Sequence, residues 1–539
     1  MRVIDGTRSR GNHHRPILFV LVTYLAAACV SAPPGSHYPK RASVAFAESE
    51  QTRVGRQWGE AARDHPNNSA FRIVSVGVDG FATRIQMIDS AERALDLQYF
   101  IFRQDTTGTD ITAALLRAAD RGVHLRILVD DGARMPGDSR IAVLAAHPQV
   151  EIRTFNPFVV RSDSRFLRAV EFIFNRTRLD FRMHNKMIVA DNASALIGGR
   201  NIADAYFQID PEGQYADDDM FVVGPTVQKL SAKFDEYWNS SLAIPVEALS
   251  DGHIDTTKLA KYRRHLERQW QHSLVQGAPY VQRAASGDPM AAMLLGKLPL
   301  VWSSALVVCD SPEKKRVAEG SKVGRLMYEP VAKVTAAVQS ELLMITPYFI
   351  PTPEEMKLLD GLRQRNVRVA ILTNSLESTT ELSAHSGYTR FRKTLVRSGV
   401  ELYEVRSLLG NTRGSGQTAK ISRSGNYGLH AKLFVFDRQK LFVGSMNFDQ
   451  RSARLNTEVG LILDSAELSE QTAARFAAMT QPANAYAVML QPNAAGNSKL
   501  VWRTQEAGKS VEYTHEPSDS VWRRIAVQLL KLLPLDSEL

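Results

Sequence analysis

The sequence predicts an α/β protein of two duplicated lobes, each a β-sheet flanked by helices, with one active site at their pseudo-twofold interface. Three observations predict it. Short apolar runs closed by turn residues alternate with stretches of helical apolar spacing in both halves of the chain, the pattern of layered α/β domains. Arg121-Gly122-Val123-His124-Leu125-Arg126-Ile127-Leu128 is echoed 244 residues later by Arg365-Asn366-Val367-Arg368-Val369-Ala370-Ile371-Leu372, and Val150-Glu151 is echoed 250 residues later by Val400-Glu401. Thirdly, His184-x-Lys186 recurs 246 residues on as His430-x-Lys432. An offset that stays nearly constant over most of each half means duplicated domains rather than a short repeat array.

The 539 residues suffice for two or more domains, and 44% hydrophobic with 23% charged residues is ordinary globular composition. A net charge of +9 favours anionic partners without choosing between lipid and nucleic acid. With only Cys29 and Cys309, a disulfide framework and a cysteine-based zinc site are excluded.

In chain order, residues 1–29 read as an export signal. Arg2, Arg8, Arg10 and Arg15 precede an apolar stretch from Ile17 to Ala28 that is short for a membrane span. The small residues before Cys29 resemble a bacterial lipoprotein site, although Leu25 falls one position early. Residues 30–68, rich in Pro, Ser, Gly and charge, read as a tether. The first lobe and a helical connection occupy residues 69–299. Its helices run from Phe81 to Leu95 and Thr112 to Arg121, its strands from Asp96 to Phe102 and Val123 to Val129. Phe158 to Arg182 interleaves Arg161, Arg165, Arg168, Arg176, Arg178 and Arg182 with Phe158, Phe166, Phe172, Phe174 and Phe181. That stretch reads either as a cationic rim for anionic head groups or as a helix with a solvated Arg face and a buried Phe face. The apolar patch Met290 to Leu295 is interrupted by Lys297 and Pro299, so it cannot span a membrane. The second lobe, 300–510, opens with a strand from Leu300 to Cys309, Cys309 reading as a buried core thiol. It continues with strands Leu342 to Tyr348 and Val367 to Thr373. The polar stretch beyond Thr373, leading to His385 and Tyr388, lies where α/β folds place substrate contacts. Residues 511–539 form an amphipathic C-terminal segment with Arg524, Gln528 and Lys531 as its polar stripe, read as an interfacial membrane helix or as one docked on the body.

The chemistry lies in the repeated motif. From Lys186 to Asp191 is five positions, as from Lys432 to Asp437. Asp191 to Gly198 and Asp437 to Gly444 are both seven; Gly198 to Asn201 and Gly444 to Asn447 are both three. Two histidines facing one phosphate divide the work: one attacks phosphorus to give a phosphohistidine, the other protonates the leaving alkoxide and later deprotonates the acceptor. Lys186, Lys432, Asn201 and Asn447 are expected on the non-bridging oxygens, with Ser445 beside them. An acidic residue behind each imidazole would fix its tautomer. Glu458, eleven past Asn447, is the expectation for His430; Asp219, with Asp217 in reserve, is the expectation for His184.

This double H-x-K-x4-D-x6-G-x2-N pattern resembles the phospholipase D superfamily. The likeness covers most residues from about Ala70 to Leu535 and is nearest to bacterial cardiolipin synthases of the C type. It is carried further by Gln98-Tyr99-Phe100-Ile101-Phe102, Thr373-Asn374-Ser375-Leu376, His385-Ser386-Gly387-Tyr388 and Leu530-Lys531-Leu532-Leu533-Pro534. The resemblance implies phosphatidyl transfer without metal or other cofactor, His184 as nucleophile, and Asp191 and Asp437 as structural residues. It departs from some relatives in having Ala216, not Arg, before Asp217. The expected activity is synthesis of cardiolipin from phosphatidylglycerol and a second phospholipid. Hydrolysis to phosphatidic acid and a nucleic-acid phosphodiesterase are the alternatives, and a lipid-binding scaffold is disfavoured by two complete motifs. Expected partners are phospholipids and a membrane surface, not nucleic acid, with room for an accessory subunit. The expected location is the bacterial cell envelope, lipid-anchored and facing the periplasm.

Overall fold

The computed structural model describes residues 32–135, 138–161, 164–210, 213–249, 256–276, 278–285, 299–315, 326–407, 426–492, 498–518 and 520–532. The expected export signal with Cys29, the apolar patch at 290–295 and the chain end from 533 lie outside them.

The first half supplies β1 (Ser69–Val74), β2 (Ala94–Tyr99), β3 (His124–Asp130), β4 (Val150–Phe155), β5 (Met187–Ala190), β6 (Ser194–Gly198), β7 (Gly213–Ala216), β8 (Asp219–Val223), β9 (Ala243–Pro245) and β10 (Val301–Ser303). All but β7 join one sheet in the order β10-β1-β8-β6-β5-β2-β3-β4-β9. The second half supplies β11 (Ala305–Cys309), β12 (Glu341–Ile345), β13 (Arg368–Asn374), β14 (Glu401–Val405), β15 (Asn426–Leu429), β16 (Leu433–Phe436), β17 (Lys440–Gly444), β18 (Val459–Asp464), β19 (Ala485–Pro492), β20 (Ser498–Glu506) and β21 (Lys509–Tyr513). All but β15 form a sheet in the order β11-β18-β17-β16-β12-β13-β14-β19-β20-β21. The run β1-β8-β6-β5-β2-β3-β4-β9 therefore maps onto β11-β18-β17-β16-β12-β13-β14-β19, which is the duplication read from the offsets. In each lobe the central strands are parallel, β2 to β3 to β4 and β12 to β13 to β14, while the motif strands β5 and β16 run antiparallel to β2 and β12.

Helices Gly77–Ser90 and Thr106–Asp120 flank the first sheet, and Pro353–Gln364 the second. The inner faces meet in one buried cluster that includes Phe71, Val189, Phe234 and Trp238 from the first lobe and Leu343, Val435, Leu461 and Phe476 from the second. Near-continuous apolar strands such as β13 and β16 follow from burial on both faces.

Two expectations on organisation are corrected. The run Leu300 to Cys309 is two strands: β10 pairs with β1 of the first sheet and β11 with β18 of the second, so the chain changes lobes at Ser304. The stretch 32–68 is docked rather than a free tether. The Ser43 and Ala45 N–H groups donate to Asn239 and Asp235, Asn192 donates to the Phe46 carbonyl, and helix Arg53–Ala61 buries Val54 and Trp58. Polar composition misled because the segment's backbone, not its side chains, makes most of these bonds.

Candidate active site

His184 and Lys186 stand just ahead of β5, and His430 and Lys432 just ahead of β16, where the two sheets meet. Each lead-in crosses to the other lobe. The Thr457 N–H donates to the Arg182 carbonyl and the His184 N–H to the Thr457 carbonyl, both at 2.9 Å. On the other side β15 runs parallel to β7, and the His430 and Ala431 N–H groups donate to the Ala216 carbonyl at 2.8 and 3.0 Å. The end of β3 and the end of β13 hold the same lead-ins from behind. Asp130 accepts from the Met183 N–H at 2.9 Å, and the Asn374 side chain clasps the Leu429 N–H and carbonyl at 2.8 Å each.

The crossing sets the acid–imidazole pairs. His184 Nδ1 lies 3.0 and 2.9 Å from the two carboxylate oxygens of Glu458, and His430 Nδ1 lies 2.6 Å from Asp217. The expected pairing, Glu458 with His430 and Asp219 with His184, is thus corrected: each histidine takes its acid from the opposite lobe, and the first-lobe acid is Asp217. Asp219 is fully buried against Arg84 and Arg200 at 2.9 and 3.2 Å. Against the pull of burial, those two guanidinium groups hold its carboxyl below the usual range. The signal that finds Asp217 is strand register. Gly198 pairs with Asp219 and Gly444 with Gly460, so two positions earlier Asp217 corresponds to Glu458. Counting from the motif asparagines misses this, because 16 residues separate Asn201 from Asp217 against 11 from Asn447 to Glu458.

The motif glycines are required by close approach. A Cβ on Gly198 would lie 2.4 Å from the Asp218 carbonyl, and one on Gly444 2.5 Å from that of Val459. The next position separates the lobes. Gly199 packs so tightly that a Cβ would meet Asp217 at 2.1 Å, whereas its counterpart Ser445 donates its hydroxyl to Glu458. Ser445 therefore serves the site by holding Glu458. Sequence reasoning missed the rest of that support: the Ser452 hydroxyl also donates to Glu458 at 2.7 Å, and the Glu458 N–H donates to Asp310, which pairs with the buried Lys314.

Lys186 and Lys432 are buried beside the histidines, donating to the His184 and His430 carbonyls; Lys432 Nζ also sits 2.9 Å from His430 Nδ1. Phe100 meets His184 at 5.1 Å between ring centroids, and Tyr206 and Tyr215 meet His430 at 5.0 and 5.4 Å. Asn201 is engaged with the Ile101 N–H and the Tyr206 hydroxyl, while the buried amide oxygen of Asn447 has no hydrogen-bond partner among the described residues. Burial, and after it the nearby lysines, push both imidazoles well below the ordinary histidine value. Burial likewise lowers Lys186, brings Lys432 down to about 8, and raises Glu458 and, to about 6, Asp217. Burial thus disfavours the protonated form of both imidazoles, with two buried lysine side chains beside them.

Asp191 and Asp437 stand away from this chemistry. Asp191 accepts the N–H groups of Glu92, Arg93 and Ala94; Asp437 accepts those of Gln339, Ser340 and Glu341, each from a positive-φ position. His385 and Tyr388, expected to contact substrate, are corrected. His385 Nε2 lies 2.6 Å from Glu516 and Tyr388 donates to Glu404 at 2.8 Å, with Arg392 on both acids. This is a buried ion network, and buried charges have to be paired. Among the described residues no group of three or more His, Cys, Asp or Glu is placed to hold a metal ion.

The family described as "Cardiolipin synthase, PLD-like domain" matches residues 84–238 and 333–480, the two lobes in turn. Cardiolipin synthase C of Escherichia coli (strain K12) is 34% identical over 476 residues, covering 88% of this chain and 96% of its own. A protein of Helicobacter pylori (strain ATCC 700392 / 26695) described as uncharacterized is 28% identical, over 90% of this chain and 92% of its own. The fold is similar to that of the crystal structure of phosphatidylserine synthase from Haemophilus influenzae Rd KW20, at a TM-score of 0.52 and 14% identity, covering 81% of this chain and 92% of that one. The chain belongs to the PLD-like domain family of cardiolipin synthases and is an enzyme of the phospholipase D superfamily.

Proposed function

We propose that this protein is a phosphatidyltransferase that makes cardiolipin from phosphatidylglycerol and a second phospholipid through a phosphohistidine on His184. The observation that carries the mechanism is the pair of crossed histidine–carboxylate contacts converging, with Lys186 and Lys432, on one buried place. A carboxylate on Nδ1 fixes the Nδ1–H tautomer and leaves Nε2 with its lone pair. Glu458 is itself held by two hydroxyl groups, so His184 is the better fixed imidazole and suits nucleophilic attack. His430 is paired with Asp217, whose proton affinity burial has raised toward that of an imidazole, and suits carrying a proton.

In the first step His184 Nε2 bonds to phosphorus, the bond from phosphorus to the donor's head-group oxygen breaks, and the leaving alkoxide takes the proton from His430. In the second, the acceptor hydroxyl gives its proton to His430, its oxygen bonds to phosphorus, and the nitrogen–phosphorus bond breaks. Burial, and after it the lysine charges, hold the His430 imidazole well below its ordinary value; an arriving phosphodiester anion offsets the lysine charges and favours its protonation. Lys186, Lys432 and Asn447 hold the non-bridging oxygens as charge builds on them. The similarity to cardiolipin synthase C supports the choice of phospholipid as both donor and acceptor.

Purified protein incubated with phosphatidylglycerol, with and without phosphatidylethanolamine, tests the reading. Cardiolipin is the expected product, and it should vanish in His184→Ala and in His430→Ala. Phosphatidic acid alone would replace the acceptor by water, and cleavage of DNA alone would overturn both lipid readings. The basic, apolar and small-residue order of residues 1–29 supports an exported, lipid-anchored enzyme at a periplasmic membrane surface. Labelled fatty acid should then be incorporated into the wild-type protein in cells and not into Cys29→Ala; a wild-type protein that takes up no label would refute the anchor.

A further inference from the structure

The segment between Phe158 and Arg182 is turned inside out relative to both sequence expectations. Four of its arginines point inward while Arg176 stays exposed: Arg161 pairs with Asp131 at 2.6 Å, Arg168 donates to the Asp131 carbonyl, and Arg178 and Arg182 donate to backbone carbonyls. Glu171 is buried too, accepting the Val159 and Val160 N–H groups at 2.8 Å. With Arg168 and Glu171 committed inside, helix Arg165–Phe174 presents Phe166, Leu167, Ile173 and Phe174 outward at 74, 46, 69 and 55% exposure. Helix Val521–Leu530 uses the same device. Arg523 donates to the carbonyls of Leu376 and Thr379, Arg524 to those of Glu516 and Ser518, and Val527 is buried. Its outer face shows Val521, Trp522, Ile525 and Leu529.

The two helices sit at related places. Asp131 follows β3 and Leu376 to Thr379 follow β13, and these are the equivalent strands whose last residues, Asp130 and Asn374, hold the residues just before His184 and His430. The apolar faces therefore flank the site from its two lobes. A cavity of about 280 Å³ is lined by Arg161 and Asp131, which anchor the first helix, and by Phe100, whose ring meets His184. An apolar face beside a site for an anionic ester, on a chain of net charge +9, matches the interface of an anionic bilayer rather than water.

We propose that helices Arg165–Phe174 and Val521–Leu530 are two insertion surfaces that seat the site on an anionic phospholipid bilayer. The choice of partner rests on the functional reading above; the exposed faces do not. The test floats the full chain carrying Cys29→Ala, so that no acyl group contributes, with phosphatidylglycerol–phosphatidylcholine vesicles at low and high salt. It compares this parent, called wild type below, with the same chain bearing Phe166→Ser/Ile173→Ser/Phe174→Ser or Trp522→Ser/Leu529→Ser. The expected result is wild-type binding that survives high salt and falls about tenfold or more in each variant. Turnover of a short-chain phospholipid dissolved as monomers should be unchanged, which also shows that the variants fold. Vesicle binding unchanged in both variants, or wild-type binding released completely by salt, overturns the proposal. So does a wild-type dimer that the substitutions dissociate without affecting vesicle binding, which would make the occupant a second copy of the chain. If no phospholipid is turned over yet the variants lose vesicle binding, the docking surfaces stand and the functional reading falls.

Discussion

Two histidines alike in motif are made unlike by the groups behind them. Glu458 has two hydroxyl donors and a backbone brace, whereas Asp217 has the Asp218 N–H and the close-packed Gly199. Glu458→Gln should lower kcat by about two to four orders of magnitude with the fold intact, because the amide no longer stabilises the imidazole's cationic or phosphorylated state; stopped assays of cardiolipin formation measure it. The pH profile of kcat/KM carries the second prediction. On the proposed mechanism His184 attacks unprotonated, and burial with the lysines holds its pKa well below 6.5, so activity should persist as pH falls through 6.5. Lys432 acts protonated, and burial brings it down to about 8, so kcat/KM should decline above about pH 8. In Lys432→Arg any remaining activity should lose that alkaline limb, since a guanidinium keeps its charge.

Secondary-structure elements explain which motif positions are chemical and which are architectural. Asp191 and Asp437 each close the turn after a motif strand by accepting backbone N–H groups from the entry of β2 or β12. Asp191 is 1% exposed, so Asp191→Ala removes a buried acceptor of three part-buried N–H groups and should cost on the order of 3 kcal/mol in denaturant unfolding. Asp437 is only half-buried and water can replace it, so Asp437→Ala should cost clearly less. The order of strands and helices was legible from apolar periodicity, as for β3 and β13, because that signal is local. The single run expected from Leu300 to Cys309 was not: which sheet a strand joins depends on the partner edge that is free, and Ser304 lets the chain leave one sheet for the other.

At the scale of the molecule, the lobes share a core and each supplies the carboxylate that backs the other's histidine, so neither is complete alone. Unfolding should be a single calorimetric transition with equal calorimetric and van't Hoff enthalpies; two resolved transitions would show independent lobes. By itself the sequence determined the duplication, the two His–Lys pairs, the glycines and the asparagines, because duplicated spacing is written along the chain. Only the tertiary structure decided that His184 is backed by Glu458 and His430 by Asp217, that His385 and Tyr388 belong to a buried ion network, and that Arg161, Arg168, Arg178 and Arg182 turn inward. These are contacts between residues up to 274 positions apart, and they are chosen by packing across the pseudo-twofold and by the need of buried charge for a partner. Neither constraint leaves a mark at any one place in the sequence.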